Sequence, residues 1–168
     1  MTFFVNGPDY GLVKQDMERW KHNAWIVAAI VLTLLIFASV TAVDWSPHRL
    51  RMVGDETAAI QAIKVIHAVE AQYHAQFSRY ATSLAQLGPP SGGTAGAQAA
   101  DLIAGDLAAG MRRGYKFTLT GTATGYVVTA SPITFYQTGR RSFYSDQTMT
   151  IRNHWGPEPA TAGSVEIQ

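Results

Sequence analysis

His67, Glu70 and His74 come nearest, by type and spacing, to a reactive or metal-binding group in this chain. Two imidazoles and a carboxylate are zinc-type ligands, and offsets of three and seven residues put all three on one flank of a helix. The two histidines are two turns apart, about 10.5 Å along a helix axis, too far to share one ion without bending the helix. The spacing therefore predicts polar side chains at the border of a buried face, hydrogen-bonded to the sheet that face covers. Ser78 and Ser83 stand in no recognisable nucleophile motif. The glycines of residues 91–96 have neither the preceding strand nor the lysine of a phosphate-binding loop. With no Cys, the chain has no thiolate metal site, disulfide or cysteine nucleophile. The expectation is a non-enzymatic protein with no cofactor, no metal and no small-molecule substrate.

The remaining side chains with binding chemistry are basic and aromatic. Arg112 with Arg113, Arg140 with Arg141, and the separate Arg49 and Arg51 are suited to contact anionic lipid or an acidic partner. Phe135, Tyr136, Phe143 and Tyr144 are aromatic neighbours expected to supply core on a small sheet. Thirteen Lys and Arg residues against 12 Asp and Glu give a net charge of +1, which provides no long-range field for polyanions and argues against nucleic acid.

Only 15% of the 168 residues are charged, where an ordinary soluble domain has roughly 25%. The deficit lies in residues 24–43, AWIVAAIVLTLLIFASVTAV, 20 residues without an ionisable side chain. As a helix such a run rises about 30 Å, the thickness of the hydrocarbon core of a bilayer. Trp20 and Trp25 stand at one end and Trp45 at the other, where indoles favour the headgroup level. Ala28, Ala29, Ala38, Ser39 and Ala42 offer small surfaces on which another membrane helix can pack closely. The preceding polar segment, residues 1–23, mixes Asp9, Asp16 and Glu18 with Lys14, Arg19 and Lys21, unlike a short basic signal region. The apolar run is also longer than the roughly 7 to 15 residues of a cleaved signal. It reads as an uncleaved signal anchor in the cytoplasmic membrane, with a cytoplasmic N-terminus and the C-terminal domain outside, in the periplasm.

The elements beyond the span must position whatever binds. Pro47 is expected to interrupt the helix, leaving 44–54 as a linker. A long helix then starts near Asp55, Glu56 and Thr57, whose acidic and oxygen-bearing side chains suit a first turn. Ala59, Ile63, Ile66, Tyr73, Phe77 and Tyr80 recur at steps of three, four and seven and mark one apolar stripe. Gly88-Pro89-Pro90 ends local order, and Leu102, Ile103 and Leu107 predict a shorter helix that Gly114 closes. From Tyr115 the period becomes two, predicting strands over 115–120 and 126–130. A further hairpin is expected over 141–145 and 148–152, with Phe143, Met149 and Ile151 on its buried face. The expected fold class is α+β: one N-terminal transmembrane helix, then a globular domain over 55–155 in which a long helix packs on a small antiparallel sheet, then a flexible tail, 156–168.

Four pieces of the domain carry a resemblance: DETAAIQAIKVIHAVEAQYHAQFSRYATSLAQLGPP, LIAGDLAAGMRRGYKFTLT, GYVVTASPIT and RSFYSDQTMTIR. In this order they resemble the globular part of bacterial type IV pilin-like proteins, over about residues 55–152. The resemblance implies a fold and an assembly role, since none of the pieces is a catalytic signature. Prepilins carry a leader ending in Gly and a glutamate just inside the apolar run; here Lys21-His22-Asn23 precede a run with no acid. The expectation is thus a pilin-like ectodomain on a permanent membrane anchor. Such a protein would act as a structural or accessory subunit of a larger membrane complex, respiratory or photosynthetic assemblies being examples, with integral membrane subunits and lipid as partners. The alternative is a pseudopilin or minor pilin of a type II secretion or type IV pilus machine.

Overall fold

The computed structural model describes residues 25–29, 31–33 and 47–167. The chain divides into two units, Met1–Trp45 and Ser46–Gln168. In the first, residues 25–29 and 31–33 are helical and exposed. Most of the expected span, 24–43, and with it Trp20, Ala38, Ser39, Ala42 and Trp45, lies outside the described residues. Among the described residues no helix is long and apolar enough to cross a membrane.

In the second unit, α1 (Pro47–Phe77) is followed by two single-turn helices, α2 (Leu84–Leu87) and α3 (Gly105–Ala108). Six strands complete the unit: β1 (Met111–Arg112), β2 (Tyr115–Gly121), β3 (Tyr126–Pro132), β4 (Arg141–Asp146), β5 (Arg152–Trp155) and β6 (Val165–Glu166). They form one sheet in chain order, every neighbouring pair antiparallel. The unit is an α+β fold, one long helix on an antiparallel meander.

The residues explain both components. Along α1 the buried Ala59, Ile63, Ile66 and Tyr73 share one face, the face that steps of three and four create. In β2 and β3 burial alternates strictly at first: Tyr115, Phe117 and Leu119 point inward from β2, and Tyr126, Val128 and Ala130 from β3. The register sets Phe117 beside Ala130, and Ala130 in turn beside Phe143 of β4. A large ring beside a methyl lets the sheet face interdigitate with Ile63 and Ile66, which are fully buried in the same core. Burying each such side chain contributes about 1.5–3 kcal/mol.

Three sequence expectations are corrected. The segment expected as a linker, 44–54, is helical from Pro47 onward: a proline at the first helical position loses no helical hydrogen bond, because that amide would have no partner anyway. Asp55, Glu56 and Thr57 consequently lie inside α1 rather than in its first turn, which contains no acid. The second helix shrinks to the single turn α3, and Met111–Arg112, expected to be helical, form an edge strand on β2. The tail folds back: Ser142 Oγ donates to the Glu158 carbonyl at 2.8 Å, Ala160 is buried, and β6 pairs with β5 through Glu166 and Val165. A β-edge offers unpaired backbone groups to any extended segment within reach, so a polar, Pro-rich tail docks without an apolar pattern of its own.

Candidate functional site

Each member of the His67, Glu70 and His74 set meets a different environment. His67 is buried, its Nδ1 2.6 Å from the Tyr126 hydroxyl and its Nε2 2.8 Å from Ser145 Oγ. Ser145 Oγ spends its proton on the Thr150 carbonyl, 2.8 Å away, so it accepts from His67 Nε2–H, and the Tyr126 hydroxyl donates to Nδ1. The imidazole is therefore neutral, in the Nε2–H tautomer, and both nitrogens are satisfied. Burial holds its pKa below the ordinary value, against an opposing pull from the Asp146 carboxylate.

A serine and a histidine at hydrogen-bond distance invite comparison with a nucleophile and its general base. The polarity here is reversed. The base would have to take the Ser145 proton, whereas Nε2 already carries one, and Ser145 is fully buried beneath α1. The same relay explains the location of β4: Ser145 sits opposite Val128, facing the helix, where an apolar residue would otherwise be expected.

Glu70, one turn further along α1, is wholly buried. Its Oε2 accepts the Ala81 amide at 3.1 Å, while Oε1 has no hydrogen-bond partner. Burial raises its pKa to about 7, the Ala81 amide pulling the other way. A carboxyl in that setting is un-ionised below neutrality and anchors the chain as it leaves α1. His74 is exposed, its ring 4.6 Å from that of Tyr80, which lies 5.3 Å from Tyr126. Among the described residues no group of three His, Asp or Glu side chains is placed to hold a metal ion.

A second polar cluster lies toward the start of α1. Glu56, buried, holds Arg141 Nε at 2.8 Å through Oε2 and the Arg140 amide at 2.8 Å through Oε1. The Arg141 guanidinium also stands over the Phe143 and Trp155 rings, 5.5 and 5.0 Å from their centroids. Arg140 lies over Trp155 at 5.5 Å. One carboxylate thus fixes both the β3–β4 connection and a cation–aromatic stack. Neither this contact nor the Ser145 and Tyr126 partners of His67 is visible in local sequence; their partners are 59 to 85 residues away.

The other expected binding residues are distributed as follows. Arg112 and Arg113 are exposed at the β1–β2 turn, and Arg49 and Arg51 are exposed in the first turns of α1. Trp25, Ala28 and Ala29 are helical and exposed. The expected aromatic cluster divides: Phe143 joins the core against Tyr115, with ring centroids 5.7 Å apart, Tyr144 is half-buried, and Tyr136 is exposed with its ring edge-on to Phe135 at 5.0 Å. Met149, expected to be buried, is exposed; it occupies the left-handed region, φ 63°, in the β4–β5 turn and does not continue the strand alternation. Comparison with family models, characterised proteins and solved structures finds no match to the chain.

Proposed function

We propose that the chain is a non-catalytic, single-pass protein of the cytoplasmic membrane that serves as a structural accessory subunit of a larger membrane complex. The observation that carries this reading is the 20-residue uncharged run, whose described residues are helical with Trp25, Ile26, Val27, Val31 and Leu32 all exposed. Large apolar side chains on an exposed helix need a covering, which a bilayer and neighbouring membrane helices supply. The non-catalytic part rests on His67 and Ser145, whose hydrogen-bonding groups are consumed internally, beneath the helix.

Substitution within the run tests the reading. Ala29→Leu and Ala38→Leu fill the small surfaces on which a partner helix would close. Each is expected to reduce co-purification with membrane partners while leaving the ectodomain folded by circular dichroism. Unchanged co-purification in both variants would contradict a helix–helix interface there.

A pseudopilin or minor pilin is the second reading, favoured by the 31-residue helix laid on an antiparallel meander. It predicts a mature chain whose new N-terminus falls inside the segment preceding residue 24; the accessory-subunit reading predicts no such processing.

A further inference from the structure

The sheet has one end at which unlike features coincide. β1 turns into β2 at Arg113 and Gly114, β3 ends at Pro132, β4 starts at Arg141, and Trp155 at the end of β5 is paired with Arg141. The start of α1 belongs to the same end, because Glu56 binds Arg140 and Arg141 there. Here Met111, Ile133, Tyr136 and Trp155 are 54%, 53%, 62% and 59% exposed. Leu50 and Val53 of α1 are exposed as well. Elsewhere in the unit, among the described residues, the large exposed apolar side chains are Val65, Met149 and Val165.

Charge follows the same division. Arg112, Arg113, Lys116, Arg140 and Arg141 belong to this end, with Arg49 and Arg51 at the start of α1. Among the acids of this end, Glu56 is engaged by Arg141 and the Asp55 carboxylate lies beside Gly114. Lys64, Arg79 and Arg152 are the basic residues of the rest of the unit. Arginines interleaved with exposed Trp, Tyr and Ile form the composition of a membrane-interface belt, in which guanidinium groups meet phosphates and the rings enter the headgroup layer.

We infer that this end of the domain, with Arg112 and Arg113 at the β1–β2 turn and Arg140 over Trp155, rests on the headgroups of an anionic bilayer. The inference rests on the proposed membrane role and deepens it by naming the lipid chemistry, anionic headgroups, that the arginines of this end would meet.

Because the chain lacks Cys, single cysteines can carry a fluorophore in the full chain, incorporated into lipid nanodiscs. Thr134→Cys places the label at this end and Thr124→Cys at the opposite end, both on exposed positions. With anionic phosphatidylglycerol in the disc, the Thr134 label is expected to be shielded from an aqueous quencher and the Thr124 label to remain accessible. The docking equilibrium constant read from the shielding should fall roughly fivefold for each arginine neutralised among R112Q, R113Q and R140Q. Shielding should also fall in high salt, and should persist in the double variant K64Q/R79Q. Should the arginine variants misfold, the lipid and salt dependence of the parent chain decides alone. Equal shielding in neutral and anionic discs overturns the inference, as does shielding seen only in complexes extracted with native protein, which would assign the surface to an acidic protein. A chain stripped from membranes by alkali that still binds anionic vesicles salt-sensitively would overturn the span and support the surface; an alkali-resistant chain with no lipid-dependent shielding would do the reverse.

Discussion

Glu70 and His67 set opposite pH dependences within one turn of helix. The folded-state pKa of Glu70, about 7, exceeds its ordinary value of 4.5, so the folded chain holds a proton that the unfolded chain releases. Its contribution is fully present below pH 4.5 and is lost as pH rises through 7. His67 is held neutral, its pKa lowered from 6.5; its contribution is present above pH 6.5 and is lost as pH falls below that. Glu70→Gln keeps an oxygen for the Ala81 amide and removes the ionisation. The variant should therefore lack the loss of stability between pH 5 and pH 8, gaining on the order of 3 kcal/mol over the parent at the alkaline end. Thermal or urea unfolding in mild detergent at the two pH values measures this; parallel profiles for variant and parent would show that Glu70 ionises freely. At Glu56, truncation to Ala removes the acceptor of both Arg140 and Arg141 and should cost about 2–4 kcal/mol by the same measurement. A loss below about 0.5 kcal/mol would place that pair among inconsequential surface ions.

At the scale of elements, a glycine in α1 and one in the β3–β4 connection make contrasting predictions. Gly54 lies exposed within the helix with open space where a Cβ would stand, and Gly54→Ala should stabilise by roughly 0.5–1 kcal/mol through the entropy of the unfolded chain. Gly139, in the connection before β4, is pressed against the Tyr115 ring and hydroxyl, and a Cβ there would overlap both. Tyr115 is itself locked, donating to the Arg141 carbonyl at 2.8 Å, so Gly139→Ala should destabilise by about 2 kcal/mol or more. Unfolding midpoints for the two variants should move in opposite directions; a neutral Gly139→Ala would mean that the connection has room to shift. Much of this layer is legible in the sequence, since Ile63, Ile66 and Tyr73 announce the helix face by their steps and residues 115–120 announce β2 by alternation. Other elements left no local trace. β6 is held by backbone pairing to β5, which any extended segment can supply, and β1 is a two-residue strand too short for a period. The start of α1 was obscured because a proline after a loop reads equally as a break or a first turn.

At the scale of the whole second unit, basic residues and exposed apolar side chains gather at one end of the sheet, while the histidine most suggestive of chemistry is sealed into the core. That His67 is bonded to the sheet was legible from its place beside the apolar stripe. Its partners Tyr126 and Ser145 were not, because only the folded register brings them beneath α1. The direct measurement is gentle detergent extraction from the native membrane, then size separation and intact mass spectrometry of the chain with whatever travels with it. An unprocessed chain migrating in a large complex with integral membrane proteins is the predicted result. A chain released without detergent, or one processed ahead of residue 24 and found with pilus or secretion components, would contradict it.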